Sequence, residues 1–218
     1  MITEERITEY IHSLDNGNPP FLEELEKQAK LDDVPVIRKE TQALIRLLIS
    51  IKKPGSILEV GTAVGFSALF MAQYSPVETQ ITTIENYPPR IREAKENIER
   101  AGKEEQIRLL EGDAMEILPA LQECYDFIFM DAAKAQYICF LPELLQHLNP
   151  GGILVSDNVL QEGDIIQSHF AVIRRNRTIY KRMREYLYEL THHERLVTAV
   201  LPVGDGVAVS CMAEREAD

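Results

Sequence analysis

The sequence predicts an α/β fold, a mostly parallel sheet with helices on both faces. Three observations carry that expectation. From Ser56 onward, five short apolar runs alternate with helical stretches. The runs are continuously apolar, as strands covered on both faces are. Each of them closes on or beside an acid, and the five acids are Glu59, Glu85, Asp113, Asp131 and Asp157.

The elements follow in order. Residues 1–53 read as a helical extension: Ile7, Ile11 and Leu14 recur at helical spacing, as do Leu44, Leu47, Leu48 and Ile51. "DNGNPP" breaks this stretch at Asp15–Pro20. The core then runs over 54–212. "SILEV" is a strand and "FSALFMAQY" a helix, and "QITTIE" is a strand ending at Glu85. "PPRIREAKENIERAG" is a helix with prolines at its start, Gly102 at its end and the face Ile91, Ala94, Ile98, Ala101. "IRLLEG", "YDFIFMD" and "GGILVSD" are strands, and "AMEILPALQ" and "ICFLPELLQHL" are helices. A long helix is expected from about Ile166 to Leu190. "LVTAVLPV" and "GVAVSCM", joined by "GDG", form a hairpin that adds an antiparallel strand. No repeat, low-complexity tract or long linker divides the chain, so one domain is expected over 1–218.

Composition narrows the function classes. The chain has 218 residues, 45% of them apolar, which fits a single globular core. No apolar run reaches the roughly 18 residues a membrane span needs. The start, "MITEERITEYIHSLD", carries acids and lacks an apolar h-region, so no secretory signal is expected and the location is expected to be cytoplasmic. Cys124, Cys139 and Cys211 are scattered and odd in number, as core thiols in a reducing compartment are. The net charge of −12 argues against a protein that coats nucleic acid non-specifically. One basic stretch stands out, with Arg174, Arg175, Arg177, Lys181, Arg182 and Arg184 close together. It is a candidate RNA-backbone contact, and a solvated helix face is the competing reading.

In a sheet of this kind, ligands sit beyond the carboxyl ends of the strands. The first such loop runs Glu59-Val-Gly61-Thr-Ala-Val-Gly65 and lacks the dinucleotide pattern Gly-x-Gly-x-x-Gly. A carboxylate there repels a pyrophosphate and favours a cationic or amine-bearing ligand. S-adenosylmethionine has a sulfonium, an α-amino group and no phosphate. Glu85 is placed to accept ribose hydroxyls, and Asp113 with the Ala114 amide to face an adenine edge. Asp131, Asp157 and Asn158 offer only oxygen ligands, which suit Mg2+, Mn2+ or Ca2+ rather than zinc. Helix capping remains open for each acid, and a plain turn for Asp157-Asn158. The histidines His12, His147, His169, His192 and His193 show no metal-ligand spacing.

Through "LEVGTAVGFSAL", "TTIE", "EGDA", "YDFIFMDAAKAQY", "GGILVSDNVL" and "LPVGDGVAV", the chain resembles a known family from about Val34 to Met212. These are the cation-dependent, S-adenosylmethionine-dependent O-methyltransferases, which include catechol and caffeoyl-CoA enzymes. The resemblance implies a Rossmann-like class I methyltransferase sheet of seven strands with an antiparallel last strand. It places Glu59, Gly61, Gly65 and Ser67 around the methionine part of the cofactor, with the Val36 backbone nearby. Glu85 takes the ribose, and Asp113 and Ala114 the adenine region. Asp131, Asp157 and Asn158 become divalent-metal ligands, with Asp131 also bordering the cofactor. Lys134, in D-x-x-K-x-x-Y up to Tyr137, becomes the general base and shares the catalytic role with Asp131. Within the family the chain looks closest to a bacterial branch that methylates 5-hydroxyuridine at the tRNA wobble position to 5-methoxyuridine, which implies a tRNA anticodon loop as partner and a homodimer. A small catechol-like or caffeoyl substrate is the alternative. A non-catalytic RNA-binding module is a further one, against which the intact Asp131, Lys134, Asp157 and Asn158 speak.

Overall fold

A computed structural model describes residues 5–168 and 172–214. The N-terminal stretch is helical as expected: α1 (Glu5–Ser13), α2 (Pro20–Leu31) and α3 (Lys39–Lys52). Pro20 opens α2, where a missing N–H costs nothing. Seven strands follow: β1 (Ser56–Val60), β2 (Gln80–Glu85), β3 (Ile107–Glu111), β4 (Tyr125–Met130), β5 (Leu148–Ser156), β6 (Leu196–Leu201) and β7 (Val207–Met212). They form one sheet in the order β3-β2-β1-β4-β5-β7-β6. The pairs among β1 to β5 are parallel, and β7 runs antiparallel to both β5 and β6. Between β1 and β4 the strand order reverses. That is the switch point where the chain leaves the sheet on opposite sides and a crevice opens.

The connecting helices are α4 (Phe66–Tyr74), α5 (Pro88–Arg100), α6 (Ala114–Ile117), α7 (Tyr137–Gln146) and α8 (Arg177–His192). Alternate residues of each strand enter two separate cores. Ile57, Phe127 and Val155 pack with Leu22 and Leu25 of α2, Ile45 and Ile49 of α3, and Phe66 and Phe70 of α4. Their neighbours Leu58, Ile128 and Leu154 pack with Tyr137 and Leu144 of α7 and with Met183, Tyr186 and Leu190 of α8. Both faces are therefore dry, which is why the strands read as unbroken apolar runs. The N-terminal helices share the first core with the sheet.

Two elements differ from expectation. The stretch "AMEILPALQ" yields only the short α6 and a 3-10 turn at Leu118–Ala120, because Pro119 has no N–H to continue the ladder. The long helix begins at Arg177 rather than near Ile166. Ile173 is extended (ψ 134°) and interrupts it, and 3-10 turns at Gln161–Ile166 and Arg174–Asn176 precede it. His169 lies outside the described residues. No helix among the described residues is long and apolar enough to cross a membrane.

Candidate active site

The carboxyl ends of the central strands open on a crevice of about 590 Å³. Of the residues singled out in the sequence, Val36, Gly61, Ser67, Glu85, Asp113, Ala114, Asp131, Lys134, Asp157 and Asn158 line it. None of His12, His147, His192 or His193 does.

The glycine loop explains how the crevice stays open. Gly61 has φ 101°, and a Cβ there would lie 2.2 Å from the Asp131 carbonyl oxygen. The loop after β1 thus passes directly against the end of β4. Asp131 N–H donates to the Val60 carbonyl at 3.0 Å, and Gly61 N–H donates to that of Ile84 at 3.0 Å. Gly65 turns the chain into α4 with φ 83° but does not reach the crevice wall. Glu85, the last residue of β2, accepts from the Asn86 and Tyr87 amides at 2.9 Å each and from Ala63 N–H at 2.8 Å. It therefore ties the glycine loop to the second strand. Asp113 lines the crevice and also caps α6, accepting from Met115 N–H at 2.9 Å, so the capping reading holds for this acid.

Glu59 is placed differently from its expected position. It sits within β1, one residue before the strand's last, and its side chain is 0% exposed and off the crevice wall. Its Oε2 accepts from the Thr83 hydroxyl at 2.5 Å, and Thr83 pairs with Thr62 of the glycine loop at 2.5 Å. Burial pushes its carboxyl up to about 7, with Asp131 and Glu85 adding to the rise and the hydroxyls of Ser67 and Thr83 opposing it. Below pH 4.5 Glu59 is neutral in the folded and unfolded chains alike and carries no penalty. As pH rises the unfolded chain loses its proton first, and the penalty on the fold grows until about pH 7 and is constant above it. Above that the gap from 4.5 amounts to about 3 kcal/mol. Glu59→Gln is therefore expected to leave stability nearly unchanged at pH 4 and to raise it by about 2–3 kcal/mol at pH 8. Denaturant unfolding at both pH values checks this, and an equal difference at the two would contradict it.

At the ends of β4 and β5, Asp131, Asp157 and Asn158 meet. Asn158 Nδ2 donates to Asp131 Oδ1 at 3.0 Å, and Asn158 N–H donates to Asp157 Oδ1 at 2.8 Å. Asn158 adopts φ 60°, a left-handed conformation that asparagine tolerates better than most residues. Both carboxyls are pushed above their ordinary value, chiefly by burial, and Asp131 also raises Asp157 by like charge. Among the described residues no three His, Cys, Asp or Glu side chains gather as a metal site. The candidate set is two carboxylates and one amide. That donor set fits a hard divalent cation: oxygen atoms only, and two facing acids whose repulsion a cation relieves.

Three residues of the site were not singled out from the sequence in these roles. Asp205, in the β6–β7 turn, is 3% exposed and its Oδ2 takes the Lys134 ammonium at 3.2 Å. The sequence read "GDG" only as a turn. Arg38, just before α3, lines the crevice. The hydroxyl of fully buried Tyr137 lies 3.3 Å from the Met130 carbonyl and 3.1 Å from that of Asp157. It spans the ends of the two strands that carry the acids.

The basic stretch divides in two. Arg177 Nε donates to the Val172 carbonyl (3.1 Å), Arg182 to Ala135 (2.9 Å) and Arg184 to Ile165 (3.0 Å). These three hold the backbone around the head of α8. Arg174, Arg175 and Lys181 are exposed. Arg182 reaches the Lys134–Gln136 turn, two residues of which, Lys134 and Gln136, line the crevice.

Comparison with known proteins agrees with this architecture. A family model described as O-methyltransferase matches residues 12–212. A catechol O-methyltransferase of Niastella koreensis is 34% identical over 129 residues, covering 57% of this chain and 58% of that protein. Caffeoyl-CoA O-methyltransferase 2 of Populus trichocarpa is 28% identical over 76% of this chain and 70% of its own length. A Staphylococcus aureus crystal structure, provisionally assigned as a caffeoyl-CoA O-methyltransferase, is 32% identical with TM-score 0.83, covering 95% of this chain and 97% of that one. A Bacillus cereus O-methyltransferase solved with S-adenosylhomocysteine shares the fold at TM-score 0.84 and 23% identity, covering 97% and 100%. With the switch-point crevice, the seven-stranded sheet and a family match over nearly its whole length, the chain belongs to the O-methyltransferase family.

Proposed function

We propose that this protein transfers a methyl group from S-adenosylmethionine to a hydroxyl that stands beside a second oxygen, with a hard divalent cation in the site. The observation that carries this reading is the meeting of two carboxylates, the half-buried Asp131 and the buried Asp157, on the wall of a crevice that also holds the glycine loop and Glu85. Glu85 uses three of a carboxylate's roughly four lone-pair sites on backbone amides and keeps capacity for a ribose hydroxyl. Glu59, held behind the loop through Thr83 and Thr62, ties the loop to β2 from inside the sheet. Asp131, Asp157 and Asn158 would hold the cation, which lowers the pKa of a coordinated hydroxyl. Lys134, kept in place by Asp205, takes the hydroxyl proton as the neutral amine, having first given its own ammonium proton to solvent. The crevice walls align oxygen, methyl and sulfur, which supplies much of the rate.

For the substrate, we propose 5-hydroxyuridine in a tRNA anticodon loop. Its 5-hydroxyl beside the 4-carbonyl is a two-oxygen chelator on an unstacked base. The exposed Arg174, Arg175 and Lys181, on the segment whose Arg182 reaches the Lys134–Gln136 turn, support this reading, since they suit phosphates. The names of the curated relatives favour a second reading, a small catechol-like substrate. Nucleoside mass spectrometry of tRNA from cells lacking this gene decides between them. Loss of 5-methoxyuridine supports the first. An unchanged profile, with methylation of 3,4-dihydroxybenzoate by the purified protein, supports the second. Triple alanine replacement of Arg174, Arg175 and Lys181 should reduce activity on tRNA and spare the small catechol.

Calorimetry tests the cofactor. S-adenosylmethionine should bind and NAD should not. Glu85→Ala should weaken binding by about 10- to 100-fold, the worth of hydrogen bonds to a charged acceptor. NAD binding without a response to S-adenosylmethionine would overturn the reading. The exposed Ile7, Tyr10 and Ile11 of α1, Leu14 just after it, and Leu47 and Ile51 of α3 offer apolar surface for a second copy. A homodimer mass by light scattering at micromolar concentration is the expected result, and a monomer mass would contradict it.

A further inference from the structure

We infer that Asp205 is a positioning residue, which holds Lys134 at the mouth of the crevice and fixes it relative to the loop that carries Asp157 and Asn158. The inference rests on the reading of Lys134 as the group that takes the substrate proton. A carboxylate 3% exposed is costly to bury unless it is paired, and both oxygens of Asp205 have partners on different elements. Oδ2 takes the Lys134 ammonium at 3.2 Å. Oδ1 takes the Glu162 amide. Backbone bonds anchor the turn itself: Val159 N–H donates to the Gly206 carbonyl and Leu160 N–H to that of Asp205, each at 3.0 Å. The packing leaves no slack, since a Cβ on Gly206 would lie 2.3 Å from Leu160.

Asp205 is therefore held in place by the segment that directly follows Asp157 and Asn158. Lysine carries its charge on a flexible four-carbon stem and has no fixed geometry of its own. The Lys134 side chain is one-third exposed and starts from a short 3-10 turn. The buried end of its ion pair supplies the reference point that the turn lacks. A competing role exists: Asp205 pins Glu162, a non-glycine residue at φ 53°, and could serve only to hold that strained turn.

A double-mutant cycle separates the two roles. Turnover is measured on tRNA bearing 5-hydroxyuridine and on 3,4-dihydroxybenzoate, for wild type, Asp205→Asn, Lys134→Ala and the double variant. S-adenosylmethionine affinity and the thermal midpoint are recorded for each. Asp205→Asn is expected to lower kcat by at least about tenfold, a fraction of what a positioned base contributes. Its cofactor affinity should stay within about threefold of wild type, and in the Lys134→Ala background it should cause no further loss. Asp205→Glu, which keeps the charge and moves it by one methylene, serves in the same cycle if the asparagine variant does not fold. An equal loss in both backgrounds, or no loss in wild type, overturns the positioning role alone. Unchanged turnover in Lys134→Ala overturns the base reading and the inference with it. Methylation of neither probe by the wild type overturns the proposed function as well.

Discussion

Gly61→Ala is expected to cost about 2–5 kcal/mol of stability and to abolish cofactor binding. Two terms add. At φ 101° any residue with a Cβ is strained, and the new Cβ would lie 2.2 Å from the Asp131 carbonyl oxygen and 2.9 Å from its carbon. Those are backbone atoms at the end of β4, whose last four residues are buried, and they cannot move aside as a flexible side chain can. The strand ends must separate, which breaks the bond from Asp131 N–H to Val60 and displaces the Asp131 carboxylate from Asn158. Gly102→Ala is the control. That glycine also has positive φ (62°), but nothing lies within 4 Å of the added Cβ, so only about 1 kcal/mol of backbone strain is expected. Denaturant unfolding and calorimetry with S-adenosylmethionine measure both. Similar losses in the two variants would show that close approach of the loop to β4 is not what Gly61 provides.

Asp157→Ala is expected to lower methyl transfer by more than the roughly 10–100-fold that loss of a ligand's supporting partner costs, because it removes a proposed ligand itself. Cofactor affinity should change little, since Glu85 and the glycine loop are untouched. A second readout is independent of turnover. A cation that binds the folded chain alone raises its stability in proportion to the logarithm of concentration over Kd. Wild type should therefore gain thermal stability in millimolar Mg2+ or Mn2+, and Asp157→Ala should not. An equal gain in both proteins would place the cation elsewhere.

The parts of this molecule that were legible in the sequence are those governed by local periodicity. The alternation of apolar runs with helical stretches named β1 to β5, the hairpin signal named β6 and β7, and four of the five strand-end acids, Glu85, Asp113, Asp131 and Asp157, line the crevice. Features that depend on which way a side chain faces were less legible. Glu59 precedes the first loop glycine just as a strand-end acid would. However, the strand runs one residue further, and its two-residue period turns Glu59 into the space filled by Thr83. The six basic residues looked alike in the sequence, yet Arg177, Arg182 and Arg184 spend their donors on backbone carbonyls. Asp205 was hidden for another reason. A "GDG" turn is explained by backbone conformation alone, and only the tertiary fold brings it to Lys134, 71 positions away. Tyr137 likewise gave no sign that its hydroxyl would bridge the ends of β4 and β5.

The central claim is that the switch-point crevice moves a methyl group from S-adenosylmethionine to a cation-bound hydroxyl. The most direct measurement supplies S-adenosylmethionine with an isotopically labelled methyl to the purified protein, together with tRNA bearing 5-hydroxyuridine or with 3,4-dihydroxybenzoate. Each substrate is run in EDTA and again after Mg2+ or Mn2+ is restored. The account predicts label on the oxygen of at least one substrate, its loss in EDTA and its return with the cation. Full transfer in EDTA, or no transfer to either substrate under any condition, would contradict it.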